Sequence, residues 1–294
     1  MRSILKALDS GKVLISDGAW GTYLHKLGLA VGECPEEWNI THRPEVLSIA
    51  KSYIDAGSDM ILTNSFGGHP VRLKHFGFEN RAREFNLAAA EISREAAGDD
   101  HFVLGSIGPS AAILMMGEIP EKEVYDGFRI QVEALAEGGA DAVCVETMSE
   151  TAEAVLAIKA AKEFTNLEVV CTFTYQKTVH GYYRTMMGVS PEEMVAAVKE
   201  AGADIIGANC GMGFEQMIDI VQAIRTVDKT TPVLVHANAG LPVIKNNQTV
   251  FPETPELMCS RVHDLITAGA NIVGGCCGTS PDHIKSFVKE IRGV

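Results

Sequence analysis

Two glycine-framed cysteine positions carry the most legible chemistry of this chain. Cys210 sits in Gly207-Ala208-Asn209-Cys210-Gly211, and an adjacent pair sits in Gly274-Gly275-Cys276-Cys277-Gly278-Thr279. Each follows a short apolar run that reads as a strand. If the two positions converge, three thiolates can hold one Zn²⁺ and leave its fourth position open. An open zinc position takes up an exogenous thiol as a thiolate near neutral pH, the form of sulfur that attacks a methyl carbon. The vicinal pair sets a condition. Neighbouring side chains of a regular strand point to opposite faces, so both sulfurs reach one ion only where the backbone bends. Gly274, Gly275 and Gly278 permit such a bend. Taken alone, the pair also admits a strained disulfide or simple packing. Cys34, Cys144, Cys171 and Cys259 lack this framing and read as small core or surface residues.

Elements must exist that bring these positions together, and a repeated phrase supplies them. Ala56-Gly57-Ser58-Asp59-Met60-Ile61-Leu62-Thr63-Asn64, Gly139-Ala140-Asp141-Ala142-Val143-Cys144-Val145-Glu146, Ala201-Gly202-Ala203-Asp204-Ile205-Ile206-Gly207-Ala208-Asn209-Cys210 and Ala268-Gly269-Ala270-Asn271-Ile272-Val273-Gly274-Gly275-Cys276 all have one form. Each reads as a helix end, a glycine turn, a near-continuous apolar strand and a polar residue. Four more runs fall between them: Val13-Leu14-Ile15-Ser16-Asp17, Phe102-Val103-Leu104-Gly105-Ser106, Glu168-Val169-Val170-Cys171-Thr172-Phe173 and Pro232-Val233-Leu234-Val235-His236-Ala237-Asn238. Helical patterns separate the runs, for example over 46–56, 128–138 and 194–201. Ser190-Pro191-Glu192-Glu193 is a capping box with proline at the first helical position, and Ser280-Pro281-Asp282 opens the last helix in the same way. Eight alternating strand–helix units in 294 residues favour a closed (β/α)8 TIM barrel, an α/β fold, as a single domain over 1–294. Such barrels place their chemistry at the C-terminal ends of the strands. Those ends here are Asp17, Asn64, the Gly108-Pro109 turn, Glu146, Tyr175, Cys210, Asn238 and Cys276-Cys277. Packing alone does not demand a polar residue at nearly every one.

Composition narrows the partners. With 38 acidic and 25 basic residues the net charge is −13, which argues against nucleic acid or an anionic membrane surface. The first apolar run, 13–15, is too short for a signal peptide, and no stretch is long enough to span a bilayer. Seven cysteines, an odd number without secretory features, read as reduced thiols in the cytoplasm.

The ordered motifs Asp17-Gly18-Ala19-Trp20-Gly21-Thr22, Pro35-Glu36-Glu37-Trp38-Asn39, Thr63-Asn64-Ser65-Phe66-Gly67, Gly108-Pro109, Glu146-Thr147, Asn209-Cys210, Asn238-Ala239-Gly240 and Gly274-Gly275-Cys276-Cys277-Gly278-Thr279 span essentially the whole chain. Together they resemble the homocysteine S-methyltransferase family. Within it, Pro35-Glu36-Glu37-Trp38-Asn39 and Asn238-Ala239-Gly240 are most similar to the homocysteine domain of cobalamin-dependent methionine synthase. Gly278 stands where the S-methylmethionine branch has arginine. Ser106, where some relatives carry an acid, and His236 depart from the family pattern.

The resemblance implies a zinc methyltransferase that moves a methyl group onto a thiol, homocysteine, giving methionine. It implies Cys210, Cys276 and Cys277 as zinc ligands. Asp17 and Glu146 would receive the substrate ammonium, and the backbone of Gly18 and Ala19 its carboxylate. Asn238 would orient substrate or serve as a weak fourth ligand, with an asparagine turn as the alternative. No catalytic side chain is expected beyond the zinc-activated thiolate. His236 reads as a satisfied core histidine. The loop Tyr182-Tyr183-Arg184-Thr185-Met186-Met187 and the pair Met115-Met116 read either as a donor-docking surface or as loop packing. The chain has no room for a cobalamin or folate domain beside the barrel. The donor is therefore expected as a separate methylated corrinoid protein, or as betaine or a methylsulfonium compound. Two other readings share these residues: a corrinoid-linked enzyme taking methyl from a small substrate in one-carbon catabolism, and a zinc or thiol redox sensor.

Overall fold

A computed structural model describes residues 2–112, 114, 117–245 and 248–293; Met115-Met116 lie outside the described residues. Eight strands form its main sheet: β1 (Leu14–Ile15), β2 (Met60–Leu62), β3 (Phe102–Ile107), β4 (Ala142–Met148), β5 (Glu168–Phe173), β6 (Ile205–Asn209), β7 (Val233–Ala237) and β8 (Ile272–Gly275). Their order is β1-β8-β7-β6-β5-β4-β3-β2, and every pairing is parallel. Helices intervene, among them Arg43–Asp55, Ala82–Ala97, Glu121–Glu137, Thr151–Phe164, Pro191–Ala201, Phe214–Val227, Val262–Ala268 and, last, Pro281–Arg292. This is the expected (β/α)8 TIM barrel. Strand residues such as Val143, Val169, Ile206 and Leu234 are fully buried, as a parallel sheet covered by helices requires.

No ladder joins β1 to β2 among the described residues, and two aspartates close the barrel there. The Asp59 amide donates to the Ile15 carbonyl at 2.7 Å, and the Ile15 amide donates back to the Asp59 carboxylate at 2.8 Å. One turn further up, the Leu62 amide donates to the Asp17 carboxylate at 2.7 Å.

The repeated phrase has a structural meaning. In all four copies its Asp or Asn grips the preceding strand with both backbone and side chain. Asp141 grips Val103 (2.8 and 2.9 Å), Asp204 grips Val169 (2.9 and 2.7 Å), and Asn271 grips Val233 (2.8 and 2.9 Å), as Asp59 grips Ile15. A cation from a helix seconds each one: Arg292 on Asp59, Arg94 on Asp141, Lys162 on Asp204 and Arg225 on Asn271. Every even-numbered strand is thereby pinned to its odd-numbered predecessor at the bottom of the barrel, away from the strand ends that carry chemistry.

Helix starts fall earlier than the apolar stripes alone suggest. The helix expected over 128–138 is Glu121–Glu137, because its polar first turn, with Glu121 and Glu123, carries acids favoured there rather than core residues. The Ser190 capping box is present, with the Glu193 side chain returning to the Ser190 amide at 2.7 Å. Ser280 caps the last helix with His283 as reciprocal partner. Two antiparallel hairpins were not anticipated: Gln176–Lys177 with Tyr183–Arg184 after β5, and Val243–Lys245 with Gln248–Val250 after β7. Among the described residues, no helix is long and apolar enough to cross a membrane.

Candidate functional site

The three cysteines meet at the C-terminal mouth of the barrel, their sulfurs all within 4.8 Å of one another. Cys210 follows β6 directly and adopts a left-handed backbone, φ 59°. That turn lets its carbonyl accept from the Met212 amide at 2.7 Å while its own amide donates to the His236 carbonyl at 2.9 Å. The Cys276 amide donates to Ala237 at 2.7 Å, and Thr279 then bends the chain by returning its amide (3.1 Å) and hydroxyl (2.7 Å) to the Cys276 carbonyl. Gly278 takes the left-handed position of this bend, φ 83°, where a Cβ would stand 2.2 Å from the Phe251 ring. The strand thus ends before the vicinal pair, so both sulfurs reach one point.

The cluster favours one negative charge. S–H donation from Cys276 and Cys277, with help from the Gly211 amide and Asn238, holds the Cys210 thiol far below its usual range. Cys276 and Cys277 are pushed up, because a second thiolate would face the first. The donor set fits a soft divalent ion. Three convergent sulfurs are available, and Asn238, which is buried, leaves its Oδ1 without a partner. By contrast, burial pushes Cys34 up to about 12, and Cys144 and Cys171 are buried and raised as well.

A cleft of about 400 Å³ opens on the cluster, and Gly18, Ala19, Ser106, Glu146 and His236 line it with the cysteines. A second hollow of about 480 Å³, between Gly32 and Phe78, contains none of the three. Glu146 belongs to β4 and caps no helix; Glu150 stands at that cap instead. The β4–β5 register shifts between Val145 and Met148, and Thr147 takes a left-handed φ of 60°. Bulges re-aim side chains, and this one sits at Glu146 itself. Asn209 stabilises the strained turn: the Thr147 amide donates to Asn209 Oδ1 at 2.7 Å, and Asn209 Nδ2 donates to Thr147 Oγ1 at 2.7 Å. The Glu146 carboxyl accepts from Ser106 Oγ and more weakly from Asn209 Nδ2 at 3.4 Å. Burial pushes it up to about 7; the Ser106 bond opposes this, while Asp17 and Cys210 add to it.

Asp17 stands behind the cleft wall. It is fully buried and does not line the cleft; one oxygen accepts from Trp20 Nε1 and the Leu62 amide, both at 2.7 Å, the other from Ser16 Oγ at 3.3 Å. The Ala19 amide is taken up by Thr279 Oγ1 at 3.1 Å. Sequence reasoning carried Asn209 only within the Asn209-Cys210 motif and missed its role in shaping the Glu146 turn. Ser106 was visible only as a departure from the family pattern. His236 is buried as expected but not satisfied: neither ring nitrogen has a partner.

Fold and site together define a parallel (β/α)8 barrel with a three-thiol, metal-competent cluster at its catalytic end. The chain belongs to the homocysteine S-methyltransferase family, whose profile matches residues 14–291. It is 31% identical over 295 residues to methionine synthase of Mycobacterium leprae and 29% identical over 300 residues to that of Mycobacterium tuberculosis. Those alignments cover 95% and 97% of this chain but 24% and 25% of the relatives, so the chain spans about a quarter of their length. Among solved structures it resembles the metallated form of the homocysteine methyltransferase MmuM from Escherichia coli. That match has a TM-score of 0.78 at 21% identity and covers 96% of this chain and 97% of the other.

Proposed function

We propose that this chain methylates homocysteine to methionine, with Zn²⁺ held by Cys210, Cys276 and Cys277 and the methyl group delivered by a separate donor. The observation that carries this reading is the convergence of three sulfurs on a cleft that also holds a buried carboxyl, in a chain of the homocysteine S-methyltransferase family. Bound there, Zn²⁺ supplies the positive charge that lowers the pKa of an incoming thiol. The chain's own residues do the rest. Glu146, with its pKa near 7, is drawn to its carboxylate form by an arriving ammonium, and the Ser106 hydroxyl keeps that carboxylate aimed. The cleft walls hold the sulfur in line with the methyl carbon. A bond forms from sulfur to carbon as the carbon–donor bond breaks; the thiol proton leaves to solvent on binding. Family membership favours this direction over transfer from a methylated substrate and over redox sensing.

The methionine-synthase-like motifs favour a methylated corrinoid protein as donor, with betaine or a methylsulfonium compound second. The reading is tested on the purified protein under reducing conditions. About one zinc per chain is expected, with Cys210→Ala, Cys276→Ala or Cys277→Ala each abolishing tight binding. Calorimetry in buffers of different ionisation enthalpy should show homocysteine binding release a proton near pH 7. Glu146→Gln should weaken homocysteine binding about tenfold or more at unchanged zinc content. Homocysteine binding without proton release would sink the proposal.

A further inference from the structure

Two backbone turns at the barrel mouth are strained, and one side chain joins them. Among the described residues, three that are not glycine take a left-handed backbone: Ala111, Thr147 (φ 60°) and Cys210 (φ 59°). Such conformations cost free energy and persist where surrounding contacts hold them. Thr147 follows Glu146, which lines the cleft, and Cys210 carries one of the three converging sulfurs. Asn209 lies between the two turns. It is the last residue of β6, is fully buried and does not line the cleft, and its peptide bond leads directly into Cys210.

The Asn209 amide is saturated. Its Oδ1 accepts the Thr147 amide of β4 and the Thr172 hydroxyl of β5, both at 2.7 Å. Its Nδ2 donates to Thr147 Oγ1 at 2.7 Å and to the Glu146 carboxyl at 3.4 Å. Both lone pairs and both N–H groups are thereby used, and the Thr147 amide, which can only donate, fixes which end of the side chain is oxygen. The strand ladder leaves this work undone. In the sheet β5 separates β4 from β6, and Glu146 and Thr147, which lie within the register shift, have no register partner on β5. The Asn209 side chain therefore holds the Glu146 turn against β6, the strand from which Cys210 departs.

We infer that Asn209 is a positioning residue that sets the span between the sulfur cluster and Glu146, and with it the length of amino-acid thiol the cleft takes. This rests on the reading that such a thiol binds with its sulfur at the cluster and its ammonium at Glu146. In homocysteine two methylenes separate the sulfur from the α-carbon, so both ends engage only when the span matches. One methylene too few or too many leaves an end unengaged, a difference of about tenfold to a hundredfold. Thr172, fully buried and outside the cleft lining, reaches this span only through Asn209 Oδ1.

The test compares homocysteine with cysteine, one methylene shorter, and 2-amino-5-sulfanylpentanoic acid, one methylene longer. Dissociation constants are measured by calorimetry on the zinc-loaded wild type, Asn209→Ala, Thr172→Val and Thr172→Ser, with zinc content determined for each. Wild type should prefer homocysteine to both by about tenfold or more. Asn209→Ala should lose affinity for homocysteine and cut that preference about tenfold, at about one zinc per chain. Thr172→Val should cut it about threefold, and Thr172→Ser, which keeps the hydroxyl, should restore it. A role in stability alone would weaken all three thiols alike. Such a uniform loss, an unchanged preference in the alanine and valine variants, or a wild type without length preference would overturn the inference while leaving the proposed function standing. Failure of the wild type to bind homocysteine would overturn both. If Asn209→Ala does not fold or hold zinc, Thr172→Val decides the matter, because it removes one hydroxyl from a side chain of nearly the same volume.

Discussion

Asp17 and Glu146 are both buried carboxyls pushed up to about 7, yet they hold different things. Glu146 faces the cleft. Asp17 faces the barrel seam, where it accepts the amide of Leu62 on β2 and the indole of Trp20. Its shift is a stability statement. The folded chain keeps a proton on Asp17 up to about pH 7, whereas the unfolded chain releases it near the ordinary value of 3.8. The associated stability is fully present below about pH 4 and is lost as pH rises through 7. We predict that in the protein stripped of metal by a chelator Asp17 contributes a loss of stability between pH 5 and 7.5, opposed by His69, His236 and Cys210, whose folded pKa values are lowered. Asp17→Asn keeps the acceptor for Leu62 and Trp20 and removes the titration, so it should flatten that loss by on the order of 1–3 kcal/mol. Urea unfolding at several pH values checks this; a slope unchanged by the substitution would assign the pH dependence to other groups. Glu146 and Glu153, also raised by burial, act in the same sense.

At the scale of elements, the fourfold Asp or Asn clamp is the main device that sets strand register. Each clamp residue both donates to and accepts from one residue of the preceding strand. Asn271 shows that an amide can take the role of the carboxylate, since its Oδ1 accepts the Val233 amide and the Arg225 guanidinium at 2.9 Å each. Asp141→Asn is therefore expected to cost less than about 1 kcal/mol. Asp141→Ala strips the Val103 amide and Arg94 of their partner and should cost about 2–4 kcal/mol. Denaturant midpoints separate the two, and homocysteine affinity should be unaffected because the clamps lie at the opposite end of the barrel. The repeat was plain in the sequence, although nothing in it marked the aspartates as clamps. The two hairpins were not legible. Gln176–Lys177 is two exposed residues long, and Val243–Lys245 is exposed throughout, so neither strand has the in–out alternation that marks one.

Over the whole molecule, those hairpins raise an apolar rim on the catalytic face of a chain whose net charge is −13. Val179 is 97% exposed, Met186 83% and Ile244 82%. Met186 thus fills no core, whereas Tyr183 and Thr185 of the same loop are buried, so packing describes part of the loop and only Tyr182, Met186 and Met187 are left to face a donor. Under the proposed function, Met186→Asp with Ile244→Asp should slow turnover several-fold with a protein-borne methyl donor. Stability should stay within about 0.5 kcal/mol and homocysteine affinity should not change. Kinetics with a protein donor and with a small donor, side by side, provide the check; equal slowing with both would place the rim's role inside the cleft. The sequence alone determined the barrel and the three cysteines. Apolar runs at regular spacing can be buried in few ways, and the glycine-framed thiols follow β6 and β8, which flank the single strand β7. It also pointed to Glu146, which lines the cleft. Only the tertiary structure decided that Asp17 lies behind the cleft wall, that Asn209 shapes the Glu146 turn, and that His236 lacks a partner. Those outcomes depend on which hydrogen bonds are already taken by residues dozens to hundreds of positions away, such as Leu62 for Asp17 and Thr279 for Ala19. A linear pattern holds no record of that competition.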